Sequence, residues 1–295
     1  MSTPPWRPKI RGGLKRLLIW VLLLATWEAA FRTFQWRPFI FPAPSQVLDA
    51  MLNMLGISSG FGKPLHAGWP LVAREPLDSS PLLSRVLHSP LISADLVSAA
   101  RLVVGFAISV MLGAGLGAVM WRWIAVDDFL GPVFLGLQTL PSVCWVPLAV
   151  LVFGLSETGI LFVLIMGSAF GISLSMRDGL RTIPPLYHRA GLMMGARRWR
   201  LYRHVLLPAA LPALASSLRQ GFSFAWRSLM GAELILVAER RGLGFLLKTG
   251  QDYSDIAQVV AVMVVMVVIG ILADRLVFAP IERRVHLRFG LAGAG

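Results

Sequence analysis

The stretch RAGLMMGARRWRLYRHVLLPAALP, residues 189–212, sets Arg189, Arg197, Arg198, Arg200 and Arg203 inside a chain that is 56% hydrophobic, with no acidic residue among them. Gly195 and Pro208 divide it into two helical pieces, 185–194 and 196–207. Glycine permits a turn that other residues resist, and proline limits the second piece because it cannot continue the hydrogen-bond ladder. In that piece Trp199 and Arg203 stand four apart on one face, with Arg200 and His204 beside them. The spacing predicts a short basic helical hairpin with an aromatic side. The plain reading of such a run is a solvated loop held on the cytoplasmic side of a membrane by its charge.

The rest of the chain supplies that membrane body. Its 295 residues have a mean hydropathy of +0.69 and only 15% charged side chains, far from ordinary soluble usage. The net charge of +13 is not the footprint of a nucleic-acid binder. Its lysines and arginines bracket apolar runs instead of gathering on soluble elements, which excludes a nucleic-acid partner. Cys144 has no second cysteine to pair with and is expected in the core. The opening MSTPPWRPKIRGGLKRLLIWVLLLATWEAAF has the basic and apolar regions of a signal peptide. Cleavage after Ala29 or Ala30 would put Trp27 or Glu28 where a small residue is required, so an uncleaved first span is expected.

Uncharged runs of roughly 18 residues are long enough to cross a hydrocarbon core as helices. Residues 102–121, 158–176 and 256–273 are plain spans. Residues 129–156 carry Pro132, Pro141 and Pro147, which predicts a kinked or tilted span whose freed backbone groups face protein or water, a candidate pathway wall. Residues 14–34 and 211–237 complete six spans, although Glu28 interrupts the first and Arg219, Arg227 and Glu233 the second. The expected fold is an all-α integral membrane protein.

The organisation read from this is a cytoplasmic tail at 1–13, a first span at 14–34, and an external loop with an interfacial helix at 35–98. A five-span core at 99–281 contains a cytoplasmic loop at 177–210, and a second tail follows at 282–295. The excess of Lys and Arg in alternate loops places both termini in the cytoplasm. Within the external segment, PSQVLDAMLNML fits an amphipathic helix with Val47, Leu48, Met51, Leu52 and Leu55 on its apolar side. The Gly-, Pro- and Ser-rich residues 57–90 read as an irregular loop.

No phosphate-cradling G-x-x-x-x-G-K-[ST], no H-E-x-x-H and no G-x-S-x-G occurs. The chain is therefore not expected to be an enzyme, to bind a nucleotide itself or to hold a metal.

From Arg189 the spacing resembles the EAA motif of ABC importer permeases. Arg189, Ala190 and Gly191 stand at its start, then Gly195, then Val205-Leu206-Leu207-Pro208. FPAPSQVL, SAARLVVGF, LPSVCWVPLAVLVFG, AWRSLMGAEL, GLGFLL and IERRV, in this order, look like the nitrate, sulfonate and taurine branch of those permeases. The resemblance implies a six-span type I importer permease core that dimerises, usually with itself. It also implies two separate ATP-binding subunits, an external substrate-binding protein, and ATP bound only by the partner. The family's coupling helix, which docks in a groove of the ATPase, then falls on Arg189, Ala190, Gly191, Gly195, Ala196, Arg197, Trp199, Leu207 and Pro208. Arg189 replaces the motif's leading Glu, Gly191 its second Ala, and the loop at 57–90 is longer than the family's usual connection.

Charges at membrane depth mark function or structural pairing. Arg227 and Glu233 are substrate-pathway candidates, with Pro141 and Pro147 in the wall. Six residues, about 600° round a helix, keep the two charges off a common face, so each needs its own partner. Glu28 and Arg101, near the outer ends of their spans, are placed to pair with each other. Glycines 105, 113 and 117 are spaced for helix packing. The implied cargo is a small anion of the sulfonate, taurine or nitrate class, with bicarbonate and small heterocycles open. An ATP-independent secondary transporter and a membrane scaffold recruiting a cytoplasmic partner through the basic loop are the alternatives.

Overall fold

The computed structural model describes residues 10–34, 41–57, 82–197, 199–236 and 241–288, and every regular element in them is helical. In chain order they are α1 (Ile10–Phe34), α2 (Pro44–Met54), α3 (Leu82–Leu87), α4 (Pro90–Arg122), α5 (Ile124–Thr139) and a 3₁₀ turn (Ser142–Trp145). Then come α6 (Val146–Phe153), α7 (Glu157–Arg181), α8 (Pro185–Met193), α9 (Trp199–Leu201), a π turn (Tyr202–Leu206) and α10 (Leu207–Ile235). The chain closes with α11 (Leu243–Asp252), α12 (Ile256–Ala273), a second π turn (Asp274–Phe278) and α13 (Ala279–Arg288). These fall into two compact units, Met1–Ile92 with Thr249–Met263, and Ser93–Lys248 with Val264–Gly295.

Among the described residues three helical runs are long and apolar enough to cross a membrane: Pro90–Arg122, Glu157–Arg181 and Ile256–Val285. α5 and the 3₁₀–α6 pair make a fourth candidate, broken by a 102° bend. α12 is rich in valine, which in water favours strands; in lipid a helix satisfies every backbone group within the segment, and that requirement wins. α1 and α10, of 25 and 29 residues, also exceed the roughly 20 residues that span a bilayer.

In the first unit α2 is tied to the end of α1. Glu28 accepts from Arg32 at 2.9 Å and from the backbone N–H and hydroxyl of Ser45, both at 3.3 Å, while Trp27 packs on Phe41 with centroids 5.3 Å apart. The expected apolar stripe of α2 is rotated. Val47 and Met54 are buried while Leu48 is exposed, because this helix packs on protein along one edge only.

In the second unit α7 is the central helix, with 56% of its apolar window buried against 22% for α4. Ser156 caps its N-terminus, Glu157 lies in its first turn and Arg181 in its last, as the helix dipole favours. Small residues set its approach to its neighbours. A methyl group on Gly113 of α4 would stand 2.8 Å from Ile172, and one on Gly117 would stand 2.7 Å from Met176. The predicted packing role of these glycines is borne out, and the Ser168 hydroxyl donates to Ser109 across the same seam at 2.8 Å. Ile160, Val163 and Leu164 of α7 share a core with Ala225, Leu229 and Ala232 of α10 and Ala149 of α6, all fully buried, and Leu164 also faces Gly105 of α4. The driving force at this depth is close packing and dispersion, since lipid tails are as apolar as the core.

Of the three prolines in the fourth candidate span, one breaks it. Leu140 and Pro141 take extended conformations, because Pro141 offers no N–H and pushes its predecessor out of the helical region. Pro132 is carried inside α5, and Pro147 sits in the first turn of α6, where its missing donor is harmless. Cys144 lies exposed in the turn that follows the break, not in the core. α4 begins at Pro90, inside the segment read as external loop, where Ser89 accepts from the Ile92 N–H. Most of the long loop, 58–81, lies outside the described residues.

Candidate coupling loop and transport pathway

The basic loop is built on one capped turn. Pro185 opens α8, and α8 closes with the Gly195 N–H donating to Leu192 O and the Ala196 N–H to Gly191 O, both at 3.0 Å. Gly195 has φ +79°, and no atom lies within 4 Å of where a Cβ would stand. The demand for glycine there is conformational, not steric. Gly191 is different: a methyl group on it would come within 2.5 Å of Leu201 and 3.2 Å of Val205, so its smallness lets α8 lie against the second arm of the loop.

That second arm does not stop at Pro208, as the sequence suggested. α9, the π turn and α10 form one uninterrupted helical run, with the Leu207 N–H donating to Tyr202 O. The wider π turn absorbs the donor that Pro208 lacks, so the proline marks a local change of pitch instead of an end. The hairpin is therefore joined to α10 without a linker. Tyr202 also meets Trp121 of α4 edge-on, with centroids 5.9 Å apart.

Arg189, Arg197, Arg200 and Arg203 are exposed and Ala190 half-buried. Arg198 and the Trp199 side chain lie outside the described residues. Two apolar side chains that sequence reasoning passed over, Met193 at 89% exposure and Met194 at 76%, stand at the turn, and Leu186 at 73% lies at the far end of α8. Their signal was available, as large apolar residues beside a glycine in an otherwise basic loop.

Arginine forks tie the helices at three points. Arg101 of α4 grips Glu157 of α7 through Nε and Nη2, and donates through Nη1 to Glu233 of α10 at 2.8 Å and to Arg241 O at 3.0 Å. Glu233 also accepts from the Ser98 hydroxyl at 2.8 and 2.9 Å and from the Gly244 N–H at 3.0 Å, and is 1% exposed. Arg101 thus pairs with two carboxylates that sequence spacing did not connect to it, and the expected Glu28–Arg101 pair is replaced by separate local partners. Asp127 at the start of α5 accepts from Arg177 and Arg181 of α7 at 2.9 and 2.7 Å. Arg219 of α10 grips Asp274 at 2.5 and 2.7 Å and reaches Glu282 of α13 at 2.8 Å.

Arg227 is the exception on α10. It is exposed, makes no ion pair among the described residues, donates from Nε to Ser223 O at 3.1 Å, and stands 5.1 Å from the centre of the Phe224 ring. The neighbouring Ser228 and Gly231 lie against the break after Pro141. A methyl group on Gly231 would meet Val143 at 3.3 Å, and one on Gly167 of α7 would meet Ser142 at 3.0 Å. The structure thus brings the Pro141 break beside the segment that carries Arg227, while Glu233 is held in the separate Arg101 network. Pro141 and Pro147 are both exposed.

Described residues that are helical in every regular element, with several apolar spans, a broken span and arginine–carboxylate networks between helices, fit the class of membrane transport proteins. Residues 93–286 match the family described as binding-protein-dependent transport system inner membrane component, and the chain belongs to that family, the ABC importer permeases. It is 27% identical over 255 residues to the taurine transport system permease protein of Escherichia coli, covering 86% of this chain and 82% of that one. It is 25% identical over 180 residues to the nitrate import permease protein of Synechocystis, covering 61% and 65%. In fold it is similar to a chain of the MetNI methionine ABC transporter in inward-facing conformations, with a TM-score of 0.56 at 20% identity, over 66% of this chain and 95% of that one. These relatives are transport permeases, not enzymes.

Proposed function

We propose that this chain is the membrane-spanning subunit of an ATP-driven importer that moves a small anion of the sulfonate, taurine or nitrate class by alternating access. It works with two ATP-binding subunits, a second copy of itself and an external substrate-binding protein, in a bacterial inner membrane with both termini cytoplasmic. Six spans, α1 and α10 among them, make the pore-forming body.

The observation that carries the reading is the continuity of the loop with α10. A hairpin tip bearing exposed Met193, Met194 and arginines is suited to an apolar groove with an acidic rim on an ATPase. Motion of the second arm, from Trp199 onward, reaches Arg227 along one continuous helical run. Arg227, which makes no ion pair among the described residues and is carried by the segment beside the Pro141 break, is read as the cation that lowers the barrier for an anion. Glu233, with both oxygens hydrogen-bonded, is read as structural.

The test is co-expression with candidate ATPase and substrate-binding proteins. The ATPase should co-purify with this chain, and uptake into proteoliposomes should stop when ATP hydrolysis is blocked. Uptake that continued without hydrolysis would favour a secondary transporter. ATPase binding without any uptake would favour a scaffold.

A further inference from the structure

α13 carries arginines that no carboxylate among the described residues reaches. Arg283, Arg284 and Arg288 are exposed and make no ion pair among the described residues. Both acidic residues of the same stretch, Asp274 and Glu282, are held by Arg219, and Glu282 also takes the Ser216 hydroxyl at 2.6 Å. These bonds fix which way α13 faces. Phe278 packs inward on Phe222 and Phe106, with centroids 4.6 and 6.1 Å apart. At about 100° per residue, Ile281, Arg284 and Arg288 share one outward face, with Arg283 and Leu287 on the next.

The order along the axis matters as much as the face. The helical run Ile256–Val285 has 30 residues, about 45 Å at 1.5 Å per residue, against roughly 30 Å of hydrocarbon. Its last turns must therefore emerge from the apolar layer. Past exposed Arg275, next to Asp274, they do so in sequence: Leu276 at 71%, Val277 at 48% and Ile281 at 46% come first, and the three arginines follow. Apolar side chains at acyl depth, then guanidinium groups at headgroup depth that make no ion pair among the described residues, complement a negatively charged lipid surface.

We propose that α13 is a binding site for anionic phospholipid headgroups, its three arginines taking the phosphates of lipids with net negative charge while Leu276, Val277 and Ile281 lie along their chains. Only the assignment to the inner leaflet rests on the orientation proposed above. The test uses the full-length chain in nanodiscs of equal parts phosphatidylglycerol and phosphatidylcholine, followed by native mass spectrometry of the lipids it retains.

The wild type should retain phosphatidylglycerol preferentially. An arginine near an anionic surface is worth about a fivefold preference, so R283Q/R284Q/R288Q should lower the ratio at least about tenfold, while R283K/R284K/R288K should keep most of it. R122Q/R200Q/R203Q, which removes equal charge elsewhere, should leave the ratio unchanged. An unchanged ratio in the glutamine variant, or an equal fall in the variant altered elsewhere, overturns the proposal. So does a glutamine variant that keeps its lipid but loses the ATPase or the second copy, for then the face belongs to a protein. Should the triple variant fail to fold, R284Q and R288Q read the same dependence singly.

Discussion

At the scale of single residues the burial of each charge decides its cost of removal. Arg101 is 6% exposed and serves Glu233, which is fully buried, and Glu157, which is 38% exposed. Removing one partner of a buried pair leaves an uncompensated charge, at about 3–5 kcal/mol. Arg101→Met is therefore expected to lower the thermal unfolding midpoint in detergent well below that of Glu157→Gln, whose carboxylate has water available. Equal shifts in the two variants would show that burial does not set the cost of removing a member of this network. Arg227 belongs to the opposite case, since its charge is exposed and unpaired. Lys at 227 keeps the charge and loses the planar fork, and Met loses both. Arg227→Lys should retain part of the anion uptake and Arg227→Met should lose it, with assembly intact in each. A fall in expression and dimer yield in both would make Arg227 structural, and Arg227→Met at parental rate would remove it from the pathway.

At the scale of elements, the loop and the broken span follow from where backbone donors are missing. Pro141 sits at the break of its span with Leu140 extended before it, whereas Pro208 and Pro280 each follow a π turn and, like Pro132 inside α5, are carried by a continuing helix. The hairpin turn rests on Gly195 at φ +79°, a conformation that costs a residue with a Cβ roughly 1–2 kcal/mol and a β-branched one more. Gly195→Val should leave the chain inserted and dimeric yet cut ATP-dependent uptake by tenfold or more, measured in proteoliposomes beside ATPase co-purification. Normal uptake in that variant would take the coupling role away from this loop. Gly191→Ala, by contrast, meets Leu201 directly and should disturb the packing of the two arms.

At the scale of the whole molecule, charge and apolar length set the topology. The charge asymmetry predicts that a tag near Ser79, outside the described residues, is reached only from the periplasmic side, and one after Gly295 only from the cytoplasm. Both tags on one side would mean an odd number of spans. The class of fold was legible in the sequence, because uninterrupted apolar runs leave the backbone no alternative to helix. So was the hairpin turn, because the position of Gly195 between two basic pieces is a local signal. What sequence distance concealed was pairing: Arg101 lies 132 positions from Glu233 and 56 from Glu157, and only packing α4, α7 and α10 together brings their charges into contact. Continuity of helix through Pro208 was hidden for a related reason, since a π turn has no strong residue signature and is selected by the hydrogen bonds around it. The sequence by itself thus determined that this protein is a helical membrane permease with a basic hairpin, through hydrophobic length, charge placement and one glycine. The tertiary structure alone decided which charges are held in networks and that Arg227, on the segment beside the broken span, makes no ion pair among the described residues, because desolvation and hydrogen bonding act between side chains that the chain order keeps far apart.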